Sequence, residues 1–241
     1  MFYSIIQQSM ARYWLILLVS FSLLTEHAAQ AQSKLNGVDI NLLPMYGGAR
    51  KPKRLQLADE LFLATTDRNE PNRAVAAKHF VKRGMDYFRA GDYATAMKRF
   101  NQAWLLDSTN ADTYWGFGIL RGSQGDYNES ITLLSNSLKR QPDNQNLTAD
   151  LAGTLLQRYD AFRANADLER SLALFELYVS RENNASGNES RIPVYAALAM
   201  GYFRKQDYER AWQWTDRARQ LNPAAVDPTF LRQLRQAAPR Q

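Results

Sequence analysis

The residue types that could perform chemistry in this chain are carboxylates, and three close pairs of them occur. A pair of carboxylates can act as the acid and the base of a hydrolase when both face one cleft. The pairs are Asp59 with Glu60, Glu169 with Glu176, and Glu182 with Glu189. None of them lies in a catalytic motif, and no glycine-rich phosphate loop with a following lysine is present. The sequence therefore favours a protein that is not an enzyme.

Cysteine and histidine, which bind metals in many proteins, are almost lacking. The 241 residues contain no cysteine and two histidines, His27 and His79. Disulfide bonds, thiolate metal sites and cysteine nucleophiles are therefore excluded. His27 lies in a segment that we expect to be removed, and one remaining histidine cannot form a cluster of histidine ligands. We expect neither a metal nor another cofactor.

The first 31 residues have the pattern of a secretory signal peptide. Arg12 precedes an apolar run over 13–24, and Ala29 and Ala31 place small residues before a cleavage site. The run is shorter than the roughly 20 apolar residues that span a bilayer, and no later stretch is long and apolar enough. We expect cleavage after Ala31 and a periplasmic or secreted protein. An uncleaved anchor is the alternative, and Met10 can replace Met1 as the start.

The body of the chain repeats with a period of 34 residues. Gly91-Asp92-Tyr93 recurs as Gly125-Asp126-Tyr127, and the match extends over 77–110, 111–144 and 192–225. Small residues recur at three positions of each unit: Gly84, Gly118 and Ala199 at position 8; Ala96, Ser130 and Ala211 at position 20; Ala103, Ser137 and Ala218 at position 27.

The repeated small residues predict pairs of helices that cross closely, with larger apolar residues between the crossings. Gly91 and Gly125 can take the left-handed conformation that ends a helix. The aspartates that follow the turns, Asp92, Asp126 and Asp207, can accept hydrogen bonds from the free amides of the next helix. Each unit is therefore predicted to be a helix–turn–helix hairpin.

This pattern resembles the tetratricopeptide repeat family over 77–144 and 192–225. The resemblance implies an all-α fold, a right-handed α-solenoid of stacked hairpins in which the first helices line a concave groove. A C-terminal capping helix, begun by Asp227 and Pro228, would cover the last hairpin. The resemblance also implies a scaffold that binds other proteins.

The groove positions of the family, carried onto this chain, give a partner-binding surface of apolar residues with arginines at its edge. The first unit contributes Lys78, Val81, Met85, Phe88 and Arg89; the second Asp112, Trp115, Ile119, Gly122 and Ser123; the last Pro193, Ala196, Met200, Phe203 and Arg204. The lysine and asparagine with which some family members hold a C-terminal carboxylate are missing. Such a surface suits an amphipathic helix or an extended apolar peptide. Alternatively, Phe88, Trp115 and Phe203 fill core space.

The predicted organisation has four parts: a signal peptide over 1–31, an extended arm and a short helix (55–64) within 32–76, a repeat domain over 77–225, and a capping helix and tail over 226–241. Unit 145–191 is irregular, because it is 13 residues longer than the period. We place seven of the extra residues between its helices, around 159–166, and six in a polar loop over 181–191. These insertions are either simply tolerated or a recognition feature at one rim.

The apolar stretch 40–46 of the arm has no helical or strand period and must bury its side chains. It either occupies the groove as an internal pseudo-ligand, docks on a partner, or packs beside the first helix as a fixed strut. The last of these is the simplest prediction, because it needs no second molecule.

The chain carries a net charge of +6, and Arg50, Lys51, Lys53 and Arg54 form a basic cluster. This positive charge would suit binding to nucleic acid, but the predicted export of the protein argues against such a partner. An anionic envelope surface or a solvated linker explains the cluster better. The sequence thus predicts a non-catalytic scaffold of the cell envelope that binds a protein or peptide. The alternatives are an assembly factor for an envelope complex and a carboxylate-dependent hydrolase of envelope polysaccharide.

Overall fold

The computed structural model describes residues 34–35, 38–181 and 188–240, which are mostly helical. Its helices are α1 (Lys53–Asn69), α2 (Arg73–Arg89), α3 (Tyr93–Leu106), α4 (Ala111–Ser123), α5 (Tyr127–Arg140), α6 (Gln145–Phe162), α7 (Asn165–Ser180), α8 (Asn188–Arg204), α9 (Tyr208–Leu221) and α10 (Pro228–Ala237). Two short strands, β1 (Lys34–Leu35) and β2 (Val38–Asp39), pair antiparallel. The chain divides into two compact units, unit 1 (Met1–Asn110) and unit 2 (Ala111–Gln241). The predicted signal peptide and residues 182–187 of the predicted loop lie outside the described residues.

Each predicted repeat forms a helical hairpin: α2 with α3, α4 with α5, α6 with α7, and α8 with α9. The all-α repeat architecture is therefore confirmed. Two of the first helices begin earlier than the repeat boundaries predict, at Arg73 in place of residue 77 and at Asn188 in place of residue 192. Asn72 explains the first of these starts, because its side chain accepts a hydrogen bond from the Val75 amide and caps α2.

The turns inside the hairpins have the predicted chemistry. Gly91 and Gly125 have φ values of +79° and +83° and end the first helices of their hairpins. The aspartate after each turn caps the second helix: Asp92 accepts from the Thr95 amide, Asp126 from Glu129, and Asp207 from Arg210. Asp227 caps α10 in the same way, because its carboxylate accepts hydrogen bonds from the Thr229 and Phe230 amides. The predicted capping helix is therefore confirmed.

The small residues lie where the helices of a hairpin approach most closely. A Cβ atom on Gly118 would lie 2.6 Å from Leu134 Cγ, and one on Gly84 would overlap the ring of Phe100. In the two middle hairpins, a serine hydroxyl at position 20 donates to the carbonyl at position 8. Ser130 donates to Gly118 at 2.7 Å and Ser171 to Ala152 at 2.7 Å. The sequence pattern therefore reports direct helix contacts.

Replacing two mid-helix glycines with alanine is predicted to change the free energy of unfolding in opposite directions. Gly118→Ala is expected to lower the free energy of unfolding by about 1–3 kcal/mol, because the new methyl group overlaps Leu134. Gly153→Ala is expected to raise it by about 0.5–1 kcal/mol, because its Cβ would meet no atom and alanine favours the helix. Chemical denaturation of the two variants beside the wild type measures both effects. Equal shifts in one direction would contradict the close packing at Gly118.

The core of unit 2 lies between its hairpins and under α10. One buried cluster joins α6 to α10 through Leu172, Phe175, Leu198, Tyr202 and Trp212, and a second joins α5 to α6 through Ile131, Leu134 and Leu151. In unit 1, Ala76, Ala77 and Leu106 pack with Phe62 of α1 and Phe80 of α2. The helix predicted over 55–64 is therefore real but longer, because its buried face continues to Thr66.

The arm is fixed to the second helix of the first hairpin, which corrects the prediction that it is extended and packs beside the first helix. Two 3₁₀ segments, Ile40–Leu42 and Pro44–Gly48, contact α3. Met45 and Tyr46 have positive φ values, as do the two glycines that follow, so this turn is left-handed. Ile40 of the first segment and Tyr46 of the second are buried. Lys51 of the basic cluster lies over the Tyr46 ring and pairs with Asp59 of α1, whereas Arg50, Lys53 and Arg54 are exposed.

The insertion predicted around 159–166 does not form a loop. The extra residues lengthen α6, which continues to Phe162, and only Arg163 and Ala164 separate it from α7. The prediction placed the residues between the helices because the repeat period gives no information on which element absorbs an insertion. The loop predicted up to Arg191 is also shorter, because α8 begins at Asn188 and contains Pro193.

Candidate functional site

The first helices of unit 2, α4, α6 and α8, form one continuous surface, which we call the first-helix face. Trp115 of α4 donates its indole N–H to Asp150 Oδ2 of α6 at 2.6 Å. Arg204 of α8 holds both carboxylate oxygens of Asp160 of α6, with distances of 2.5 and 2.6 Å. Three helices that are distant in sequence are thus connected by polar contacts on the same side.

At the α4 end of this face, Trp115 and Ile119 are half-buried and pack against the α5–α6 cluster. Desolvation by the surrounding groups raises the pKa of Asp150, although the Trp115 hydrogen bond acts in the opposite direction. Asp112 also has a partner, because it accepts a hydrogen bond from Gln141 Nε2 at 3.0 Å. Trp115 therefore combines a packing role with a ring surface that remains accessible.

At the opposite end of the face lies a pocket of about 630 Å³ between α6, α8 and α10. Its lining residues are Asp160, Arg163, Ala196, Met200, Phe203, Arg204, Ala225, Val226, Asp227, Thr229, Phe230 and Gln233. The floor is apolar and the rim is polar. The predicted groove residues Ala196, Met200, Phe203 and Arg204 are brought together here, and Phe203 packs edge-on against Phe230 at 5.4 Å. Phe203 thus packs against a neighbouring helix and also lines the pocket.

Asp160 and Arg163 are site residues that the sequence analysis missed. Asp160 lies in the lengthened end of α6, and Arg163, the residue after the helix, takes the left-handed conformation with φ of +57°. The turns of the regular units carry Gly91, Gly125 and Gln206 at this position, so a charged residue in the longer unit was the only sequence signal. Phe162 beside it leaves 67% of its surface exposed.

The groove residues predicted in unit 1 differ in exposure. Lys78 and Arg89 are exposed, Met85 and Phe88 are half-buried, and Val81 is buried. Phe88 packs against Tyr93 with a ring separation of 5.5 Å, and Arg89 pairs with Asp86. Val81 therefore offers little surface to a partner, whereas the other four residues remain candidates. In unit 2, Gly122 is half-buried, and Ser123 and Pro193 are exposed.

Members of two of the carboxylate pairs considered for hydrolysis are engaged in structural contacts, and Glu182 of the third pair lies outside the described residues. Asp59 pairs with Lys51, and Glu169 accepts a hydrogen bond from Lys205 at 2.7 Å. Glu176 accepts from the buried Tyr202 hydroxyl, and burial together with this contact raises the pKa of Tyr202 to about 12. Within the part of the chain that the structure describes, no three His, Asp or Glu side chains converge as metal ligands would. Among its helices, none is long and apolar enough to cross a bilayer.

No model of a known protein family matches this sequence. The chain is similar to tetratricopeptide repeat protein 14 of Mus musculus, with 32% identity over 78 residues. The match covers 32% of this chain and 10% of that relative, so the chain spans about a tenth of the relative's length.

Solved structures with the same architecture are similar over about two thirds of the chain. PilF of Pseudomonas aeruginosa has a TM-score of 0.56 at 15% identity, over 68% of both chains. MamA of Desulfovibrio magneticus RS-1 has a TM-score of 0.53 at 17% identity, over 67% of this chain and 82% of that one. A thermophilic TPR protein in Thermus thermophilus has a TM-score of 0.53 at 15% identity, with the same coverage. At such low identity these likenesses establish the fold alone.

Proposed function

Because the chain folds as a tetratricopeptide-repeat protein, we propose that it is a protein-interaction scaffold without catalytic activity of its own. We propose further that it binds a peptide or a helix of a partner protein on the first-helix face of unit 2. The observation that carries this proposal is the pocket of about 630 Å³ at one end of that face. Pockets of this size, with an apolar floor and a few polar groups at the rim, are typical of binding sites.

The contacts of the face support binding of an apolar segment. Met200 and Phe203 are half-buried and line the pocket. Trp115 and Ile119 are half-buried at the α4 end of the face, outside the pocket. Gly153 of α6 lies between the two ends, and the space beside its Cα is empty. A partner backbone can approach α6 closely at this glycine.

A cell-envelope location is part of the same proposal. It rests on the sequence of residues 1–31, which has the order of a secretory signal peptide. Cell fractionation and the mass of the recovered protein test it: a chain that begins at Gln32 is expected, and one that begins at Met1 or Met10 and is recovered in the cytoplasmic fraction contradicts it. An assembly factor for an envelope complex would use the same face for a transient partner.

Site-specific cross-linking in cells tests the binding surface. A photo-crosslinking amino acid placed at the exposed Gln157 of α6 is expected to capture a defined partner protein. The matched control is Thr132, which is exposed on the second helix α5 and should give no adduct. Equal capture at both positions, or capture at 132 alone, would contradict the proposal.

Trp115 gives a sharper mutational test. Trp115→Ala is expected to weaken binding of the captured partner by about 2 kcal/mol, because tryptophan is among the residues that contribute most at protein interfaces. Trp115→Phe keeps the ring surface and removes the hydrogen bond to Asp150, so it should retain most of the affinity. Titration calorimetry measures both variants. A loss of about 3–5 kcal/mol in folding stability without weaker binding would assign Trp115 to the core instead.

A further inference from the structure

The lengthened end of α6 and the residue after it reach the pocket. Residues 160–163 carry two charges and an exposed aromatic ring into its neighbourhood. Arg163 stops the helix in a left-handed conformation, which is unfavourable for a residue with a Cβ atom. Glycine fills the equivalent place in the two hairpins of 77–144, whereas Gln206 takes the same conformation in the last hairpin, with φ of +64°.

The two arginines at the rim share one aspartate. Arg204 takes both oxygens of Asp160 in a bidentate contact, whereas the nearest approach of Arg163 Nη1 to Asp160 is 3.8 Å. Asp227, the other acidic residue of the rim, accepts hydrogen bonds from two backbone amides of α10. Among the described residues, no acceptor receives a hydrogen bond from the Arg163 guanidinium, which leaves 69% of its side chain exposed. The same guanidinium lies over the Tyr159 ring, 5.4 Å from its centre. The rim therefore presents a mostly exposed guanidinium, held by a ring contact and a long ion pair, that can still bind an anion.

An apolar floor beside this guanidinium defines the chemistry of an occupant. Met200, Val226 and Phe230 can surround a bulky apolar side chain, and a guanidinium binds a carboxylate with two parallel hydrogen bonds. Resting on the proposed scaffold function, we propose that this pocket binds a partner segment in which a large apolar residue stands next to an acidic side chain. Arg163 contacts the acid, and the floor holds the apolar residue.

Three small peptides test the proposal on the full chain: acetyl-Phe-Glu-amide, acetyl-Phe-Gln-amide, and acetyl-Phe-Gln with a free carboxyl terminus. Methionine methyl resonances in NMR spectra report binding, and Met200→Leu identifies the Met200 signal. The Met200 signal is expected to shift, and the glutamate peptide should bind about 3–10-fold more tightly than the glutamine amide. An absent Met200 shift, or equal affinity for these two peptides, overturns the proposal. Tighter binding of the free-carboxylate peptide would assign the site to a chain terminus and also overturns it.

Substitutions of Arg163 separate binding from folding. Arg163→Gln is expected to abolish the preference for the glutamate peptide, whereas Arg219→Gln, at an exposed position of the second helix α9, should leave it unchanged. Arg163→Gly should abolish the same preference while raising the melting temperature by about 1–3 °C, because glycine accepts the left-handed conformation. A preference that survives in both Arg163 variants overturns the proposal. If position 157 still captures a partner in that case, the scaffold function stands and only this subsite is wrong.

Discussion

Asp167→Ala is expected to lower the free energy of unfolding by about 3–5 kcal/mol, because it leaves the Arg158 guanidinium without its counter-charge. Asp167 lies at the start of α7 and is 5% exposed. Arg158 of α6 donates to its two oxygens at 2.6 and 2.7 Å, and the same guanidinium reaches Asn128 of α5 at 2.8 Å. The Arg158–Asp167 ion pair, together with the Asn128 contact of the same arginine, thus connects three helices of unit 2. Urea denaturation monitored by circular dichroism measures the loss.

A surface ion pair provides the control for this prediction. Glu169 and Lys205 also connect two helices, but their side chains are 59% and 40% exposed. Glu169→Ala is therefore expected to cost less than about 1 kcal/mol. The double variant Asp167→Leu with Arg158→Met should recover much of the lost stability, since no unpaired charge remains. A small loss of stability in Asp167→Ala, similar to that in Glu169→Ala, would contradict this prediction. It would show that water hydrates the Arg158 guanidinium well enough to replace the ion pair.

The second large effect is expected at Asn101, whose side chain fixes the arm to α3. Asn101 is 1% exposed. Its amide nitrogen donates to the Asn41 and Leu43 carbonyls at 3.0 and 2.9 Å, and its oxygen accepts from the Tyr46 amide at 3.3 Å. Asn101→Ala is expected to lower the free energy of unfolding by about 2–4 kcal/mol, because one buried and two part-buried backbone groups lose their partner.

Release of the arm should also be visible to a protease. Arg50, Lys51, Lys53 and Arg54 follow the arm, and trypsin should cleave there much faster in Asn101→Ala than in the wild type. Gln102→Ala, at the neighbouring half-buried position, is the control and should leave both stability and cleavage almost unchanged. Unchanged cleavage in Asn101→Ala would mean that the left-handed turn at Met45 and Tyr46 stays packed on α3 without the Asn101 hydrogen bonds.

The repeat could be predicted from the sequence because the residues that specify it act within one hairpin and recur in the next. Gly91, Gly125 and the aspartates after them specify turns, and Gly118 and Ser130 specify a close crossing at a fixed spacing. Their physical requirements involve neighbours within one hairpin. A period of 34 residues therefore predicts both the helices and the contacts between them.

The features that the sequence did not reveal depend on distant or unrepeated partners. Asn101 binds Asn41 from 60 residues away, and Arg158 pairs with an aspartate that also occupies a repeat position. The period says nothing about either contact. The lengthening of α6 was detectable as extra residues, but their helical conformation depends on packing. For the same reason the sequence identified Met200 and Phe203 as candidate site residues without identifying Arg163 opposite them.

The serine contacts in the middle hairpins bear on how the chain acquires its structure during synthesis. Ser130 reaches Gly118 across 12 positions, and Ser171 reaches Ala152 across 19. Contacts of such short separation close quickly, because little loop entropy is lost. Each hairpin can therefore close soon after it leaves the ribosome, before the next one has been translated. Nascent chains of increasing length should gain protection from proteolysis in steps, one hairpin at a time.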